Sequence, residues 1–219
     1  MRTVSAAPAP ETPTAERRLE LASTLLLAFA TLATAWSAYQ SRQWTGEQSQ
    51  GYSRATATRI AVNRVSALAN RQVQIDVATF IQWVDAHEHQ DTALADFYRA
   101  RFRDEFKPAF AAWLATNPFE RRDAPPTPFA MQQYRLQASK EADRLEATAA
   151  SASDDAKEAN QTADNYMLAV VLFASALFFA GISTKLRTPR ARAAILGLGW
   201  ILFLGTAIWV ATFPTRLTV

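Results

Sequence analysis

Cysteine is absent from the 219 residues, which removes disulfides, thiolate metal sites and cysteine nucleophiles together. Glycine is scarce, at six residues, and the ten prolines are unevenly spread, leaving 14–107 and 129–188 without any. Nothing therefore forbids continuous helix over either stretch. A surplus of one charge sign is also missing. The net charge is +3, and residues 40–164 hold 15 basic against 17 acidic side chains, so no basic face of the nucleic-acid-binding kind is expected. Catalytic signatures are lacking too: there is no serine elbow, no glycine-rich phosphate loop, no HExxH and no pair of acids fixed on a rigid scaffold. An enzyme is the least expected class, and no cofactor is implied.

What the chain does have is three apolar runs long enough to cross a bilayer, at 19–39, 166–183 and 193–213. Residues 1–18, with Pro8, Pro10 and Pro13 among small side chains, read as a disordered tail. Trp36 and Tyr39 close the first run as an interfacial aromatic belt does. A cleavable signal peptide is the rival reading, since Ala33-Thr34-Ala35 fits a cleavage site, but the apolar run continues through Trp36. Between the second and third runs, the turn 184–192 carries Lys185, Arg187, Arg190 and Arg192. With Arg17 and Arg18 they place the amino-terminal tail and this turn in the cytoplasm, and residues 40–165 and the tail 214–219 outside. None of the runs 21–39, 166–183 and 193–213 contains an ionisable residue, which counts against ion-coupled transport.

The outer block is organised around residues 138–163. Ala138, Ala142, Leu145, Ala149, Ala152, Ala156, Ala159 and Ala163 alternate four and three apart, the seam spacing of a helix packed along another helix. Seams built of alanine bury little area, so the partner helix must approach closely. A second seam, Ser41, Thr45, Gln48, Tyr52, Ala55, Thr58, Val62, Val65 and Ala69, continues outward from the first run on a helix expected to end near Ala86, with Gly46 and Gly51 as a candidate hinge. The returning helix is expected from about Phe129 to Asp164. Together they form a long antiparallel hairpin. Residues 91–128 cap it: 91–115 read as one helix kinked at Pro108, followed by a proline-rich loop.

Several groups offer sites, each with a plainer reading beside it. His87 and His89 stand among Asp85, Glu88 and Asp91 and are weak metal candidates, because residues two apart on a helix point roughly 200° apart; a solvated turn or a pH-sensitive tip are the alternatives. Phe102, Phe106, Phe110 and Trp113 form a stripe that either docks a partner or packs the cap onto its own hairpin. Arg99, Arg101, Arg103, Lys107, Arg121 and Arg122 suit an anionic lipid or polymer, or a salt-bridged face with the interleaved acids. Thr24, Thr31 and Thr34 could line a pore in an assembly of several copies, or pack with Ala30 and Ala38; Gly197, Gly199 and Gly205 repeat that small-residue packing in the third run.

Finally, Ala35-Trp36-Ser37-Ala38-Tyr39-Gln40-Ser41 with Trp44 and Gly46-Glu47-Gln48, then Phe80-Ile81-Gln82-Trp83, Pro128-Phe129-Ala130-Met131 and Asp164-Asn165-Tyr166, resemble an uncharacterised family of small bacterial three-span membrane proteins with a helical extracytoplasmic block. The resemblance covers nearly the whole chain. It implies bacterial origin, the inner membrane and this topology, and it carries no functional residue onto any position. The expected protein is an all-α, three-span membrane protein acting as a non-enzymatic scaffold or accessory subunit. Its partners are membrane lipid and further copies of itself or a larger membrane complex, not nucleic acid. A homo-oligomeric channel and an extracytoplasmic sensor that needs a signalling partner are the alternatives.

Overall fold

The computed structural model describes residues 14–216. Most of the expected amino-terminal tail, 1–13, and residues 217–219 of the expected carboxyl-terminal tail lie outside the described residues. Five α-helices and one 3-10 turn make up the regular structure, and no strand occurs among the described residues. Three of the helices are long and apolar enough to cross a membrane.

Helix α1, Thr14–Glu88, is a single helix of 75 residues. Thr14 to Arg18 are therefore helical rather than part of a disordered tail. It runs unbroken through Gly46 and Gly51. Its end is sharp. Gln90 takes a left-handed conformation at φ 59°, the Asp91 N–H bonds back to the Ala86 carbonyl at 2.9 Å, and the Gln90 N–H bonds to that of His87 at 3.0 Å. This closure satisfies carbonyls that a helix end leaves open. Asp91 then caps α2, Thr92–Ala100, its carboxylate accepting the Leu94 N–H at 3.0 Å.

The single kinked helix expected over 91–115 is two helices, α2 and α3, Lys107–Leu114. Pro108 has no N–H to give, and its ring conflicts with the carbonyl four residues earlier, so it sits in the first turn of a new helix instead of inside an old one. The returning helix also begins later than Phe129. After the 3-10 turn Pro128–Ala130 the backbone extends at Met131, and α4 is Gln137–Ser183. Helix α5, Pro189–Val210, starts at the proline, so Arg190 and Arg192 belong to its first turn and not to a loop; it ends three residues before Phe213.

The chain divides into two compact units, 14–51 with 155–216 and 52–154. In the first, here called the membrane unit for its three membrane-length apolar stretches, Leu26 of α1, Ala180 of α4 and Leu196 of α5 share a core with Leu19, Ala22, Trp200 and Phe203 around it. Small side chains set the spacing. A methyl at Gly199 would come 3.0 Å from Leu26 and 3.3 Å from Phe179, whereas Gly46, Gly197 and Gly205 face open space. Of the three α5 glycines expected to pack, only Gly199 does so within the chain.

In the second, the distal unit, aromatic side chains make the core. Phe80 and Trp83 of α1, Phe102 and Phe106 of the α2–α3 connection, and Phe110 and Trp113 of α3 are all buried. Edge-to-face contacts dominate, with Trp83 and Phe110 centroids 4.7 Å apart and Phe80 and Trp113 5.3 Å apart. A smaller cluster joins Ala69 of α1 to Leu136 and to Ala138 of α4. The α4 seam positions of this unit are inward: Ala138, Ala142 and Ala149 are buried, and Leu145 and Ala152 half-buried. On α1 the inward line differs from expectation. Gly51 is buried while Tyr52 is exposed, and Thr45 is exposed beside a half-buried Trp44. An alanine seam admits glycine at the contact more readily than tyrosine, which explains the one-position shift.

Candidate functional site: a buried ionic knot in the distal unit

Asp76 lies on the inward line of α1, one turn before Phe80, and is completely buried. A buried carboxylate is costly unless donors are brought to it. Two arrive from separate segments. Arg103, in the α2–α3 connection, places Nη1 2.9 Å from Oδ2, and the Tyr134 hydroxyl donates to the same oxygen at 3.1 Å. The other arm of Arg103 pairs with Glu105, whose second oxygen accepts the backbone N–H of Gln137 at 3.0 Å. That N–H is one of the open donors in the first turn of α4, so Glu105 caps α4 from 32 residues away. One network thus ties α1, the α2–α3 connection, the segment before α4 and the start of α4.

The electrostatics are asymmetric. Burial raises the Asp76 carboxyl above its ordinary value, and this outweighs the lowering effect of Arg103 and of the Tyr134 hydrogen bond. Tyr134 is likewise raised, first by burial and then by the negative charge of Asp76. Asp76 Oδ1 is buried with no hydrogen-bond partner among the described residues, as is Oε1 of Gln72 one turn earlier. Next to the network, a groove of about 790 Å³ is lined by Val65, Leu68, Gln72, Glu105, Lys140 and Arg144, among others. Chemically, the arrangement can fix helix ends and raise the proton affinity of a buried acid.

The residues singled out in the sequence fall elsewhere. His87 stacks on Trp83 with centroids 5.0 Å apart and lies tilted against Phe119 at 4.8 Å, while His89 Nδ1 meets the Asp85 carbonyl at 2.9 Å. The two imidazoles are committed to different partners, and among the described residues no three His, Asp or Glu side chains gather as a metal site. Phe102, Phe106, Phe110 and Trp113 are at most 3% exposed, so they are interior and not a stripe open to a partner. Of the distal cations, Lys107 pairs with Asp104 at 2.7 Å, Arg121 with Asp123 at 2.5 Å, and Arg103 is spent in the network. Thr24, Thr31 and Thr34 donate their hydroxyls to the carbonyls of Glu20, Leu27 and Ala30, at 3.0, 2.7 and 2.7 Å. Thr24 and Thr31 face outward and Thr34 is half-buried. The remaining seam residues Ala156, Ala159 and Ala163 are buried in the membrane unit.

A second polar assembly, in the membrane unit, was not anticipated. Gln40, fully buried, exchanges two hydrogen bonds with the Arg216 backbone, at 3.1 and 3.0 Å. The Trp44 indole and the Tyr166 hydroxyl both donate to the Pro214 carbonyl at 3.2 Å, and Arg216 reaches Glu47 at 2.6 Å with its guanidinium 4.7 Å above the Trp44 ring. Residues 214–216 are thereby strapped to α1 and α4. For Asp76 the sequence did hold a signal: Val65, Ala69, Val73, Asp76, Phe80 and Trp83 keep helical seam spacing, so an acid occupies an apolar line. The strap gives no such signal, since most of its bonds use the backbone of residues 214 and 216 and join positions 48 to 176 residues apart.

No family model matches the chain, and neither the curated proteins nor the solved structures include a match.

Proposed function

We propose that this chain is a non-enzymatic scaffold or accessory subunit of a bacterial inner membrane, with its amino terminus cytoplasmic and its distal unit and carboxyl terminus outside. In this reading the three apolar helices span the membrane, and α1 with α4 forms a long antiparallel hairpin capped by α2, α3 and the proline-rich loop. The pairings Leu26 with Ala180, Ser41 with Ala163 and Ala69 with Ala138 support the antiparallel course. The observation that carries the functional reading is how the buried polar groups are used. Arg103, Glu105, Tyr134, Gln40 and Arg216 all serve to join one helix or segment to another. Helices built so elaborately and presenting outer apolar faces, such as Leu32, Phe178, Ile201 and Ile208, suit side-by-side packing with further copies or a larger membrane protein.

A channel lined by Thr24, Thr31 and Thr34 is the weaker reading, because their hydroxyl protons are engaged by their own helix and only oxygen lone pairs remain for a solute. A sensor would use the groove beside Gln72 and would need a partner to carry its signal. Native mass spectrometry of the detergent-solubilised chain, with bilayer conductance on the same sample, separates these. A non-conducting oligomer or a retained larger protein is expected; a lone, partnerless monomer would sink the scaffold, and a conducting ring would favour the channel.

A further inference from the structure

Through the distal unit α1 carries two lines of seam spacing, and the chain covers one of them. The covered line includes Ala69, Asp76, Phe80 and Trp83. The other, roughly a third of a turn round the helix, is Ala57, Ala61, Arg64, Leu68, Arg71 and Ile75, which alternate four and three apart without a slip. Five of the six are exposed and Ala61 is half-buried. Scattered aliphatic side chains on a helix surface are ordinary. Leu68 and Ile75, each 46% exposed, instead share one line, with the spacing of a helix laid along a helix.

The charges on this line point to what lies against it. Between residues 52 and 75, α1 has four arginines and no acid. Neither Arg64 nor Arg71 forms an ion pair among the described residues, in contrast to Arg103, Arg121 and Arg144, which all do. A matching line stands on α4. Lys140, Asp143, Ala147, Ala150 and Asp154 are three, four, three and four apart and all exposed, and residues 137–154 hold four acids against two bases. The lines also match in height. Ala69 packs with Ala138, so along the antiparallel hairpin Arg64, five residues before Ala69, is level with Asp143, five after Ala138. Ala57 is level with Ala150 by the same rule, and Lys140 with Ala67, where its aliphatic stem covers Leu68. Within one chain both lines lie outside the α1–α4 seam, so they meet only between copies.

We propose that the outer line of α1 docks the outer line of α4 of a second copy of this chain, pairing Arg64 with Asp143 of that copy and seating Ala57 against its Ala150. Docking α1 on another α1 would instead set the arginines of one copy against those of the other, and like charges oppose such a contact. The inference rests on the scaffold reading, in which all copies stand the same way round in one membrane. Common insertion keeps α1 of one copy antiparallel to α4 of its neighbour at equal height, which preserves the register.

The chain has no cysteine, so single cysteines report contacts directly. Full-length A57C and A150C chains, differently tagged, are co-expressed and their membranes mildly oxidised. The expected result is a disulfide between the two tags, in severalfold higher yield than for N63C with A150C, since Asn63 is exposed but off the line and a disulfide forms only between close Cα atoms. Adding R64E to the A57C chain, or D143R to the A150C chain, should cut the yield roughly fivefold, and both together should restore it. A yield no higher than with N63C, an excess of A57C–A57C bonds, or a yield that R64E leaves unchanged overturns the proposal. Native mass spectrometry of the same membranes, after detergent extraction, separates the two readings: an oligomer or a retained larger protein without the A57C–A150C bond overturns this docking alone, whereas a partnerless monomer without it overturns the scaffold as well. The two cysteine pairs decide the matter even if the charge variants do not fold.

Discussion

The two units solve the same problem, holding α1 beside α4, with opposite materials. In the distal unit large rings fill the space, each worth about 1.5–3 kcal/mol when fully buried, and one ionic network pins the helix ends. In the membrane unit alanines and Gly199 let the helices close around Leu26 and Leu196, and the long-range polar bonds come from Ser41 and a three-residue strap. On the membrane-spanning reading proposed above, the difference follows from the solvent: water drives rings together in the distal unit, whereas lipid is as apolar as any side chain, so close backbone approach and hydrogen bonds do the holding.

The sharpest way to break this comparison is to remove one partner of the ionic network. Arg103→Ala leaves Asp76 buried and uncompensated, and should destabilise the distal unit by about 3–5 kcal/mol, read as a shift in its denaturant midpoint. Replacing Phe106 by alanine should cost a comparable or slightly smaller amount, about 3–5 kcal/mol less any collapse of the cavity. The seam answers in the opposite sense. Ala149→Gly should cost only the helix-propensity difference, about 0.5–1 kcal/mol, while Ala149→Leu overpacks a position with no free surface and should cost about 1–3 kcal/mol. Gln40→Ala leaves the Arg216 backbone donor and acceptor unpaired, at about 1–3 kcal/mol, and should raise hydrogen exchange at residue 216 without touching the distal unit. Glu47→Gln, at a partly exposed pair, should cost at most about 1 kcal/mol and less in high salt.

Acid offers a subtler contrast. Because the folded Asp76 carboxyl sits above its ordinary value of 3.8, the native distal unit binds the proton more readily than the unfolded chain. Its contribution therefore falls as pH rises from 3.8 through the raised value, and is most favourable on the acid side. Asp104, Asp123 and Glu141 are shifted the other way by Lys107, Arg121 and Arg144, and their contribution is lost as pH falls. Comparing unfolding midpoints of Asp76→Asn and the wild-type chain across the acid range isolates the first effect. A gap between them that is independent of pH would mean that Asp76 titrates normally.

Much of the helical layout was legible because its causes are local. Prolines at 108 and 189 mark where helices begin, and a stretch free of them allows 75 residues without a break. Pro108 was visible too, but spacing alone does not separate a kink from a restart, because Tyr98, Phe102, Phe106 and Phe110 share a face of one continuous helix as readily as they pack from two. Tyr52 drew the seam away from Gly51 because apolar character is easier to read than the absence of a side chain. Asp76 was readable as an intruder on an apolar line. Its partners were not, since Arg103 and Tyr134 come from irregular segments 27 and 58 residues away.

Those separations set a schedule for the newborn chain. Every bond of the distal network is available once residue 137 has been made, whereas Gln40 finds its partner 176 residues downstream. A ribosome-bound chain halted at the end of α4 would thus hold a closed ionic network and an unfinished membrane unit, with Gln40 and Trp44 lacking their strap.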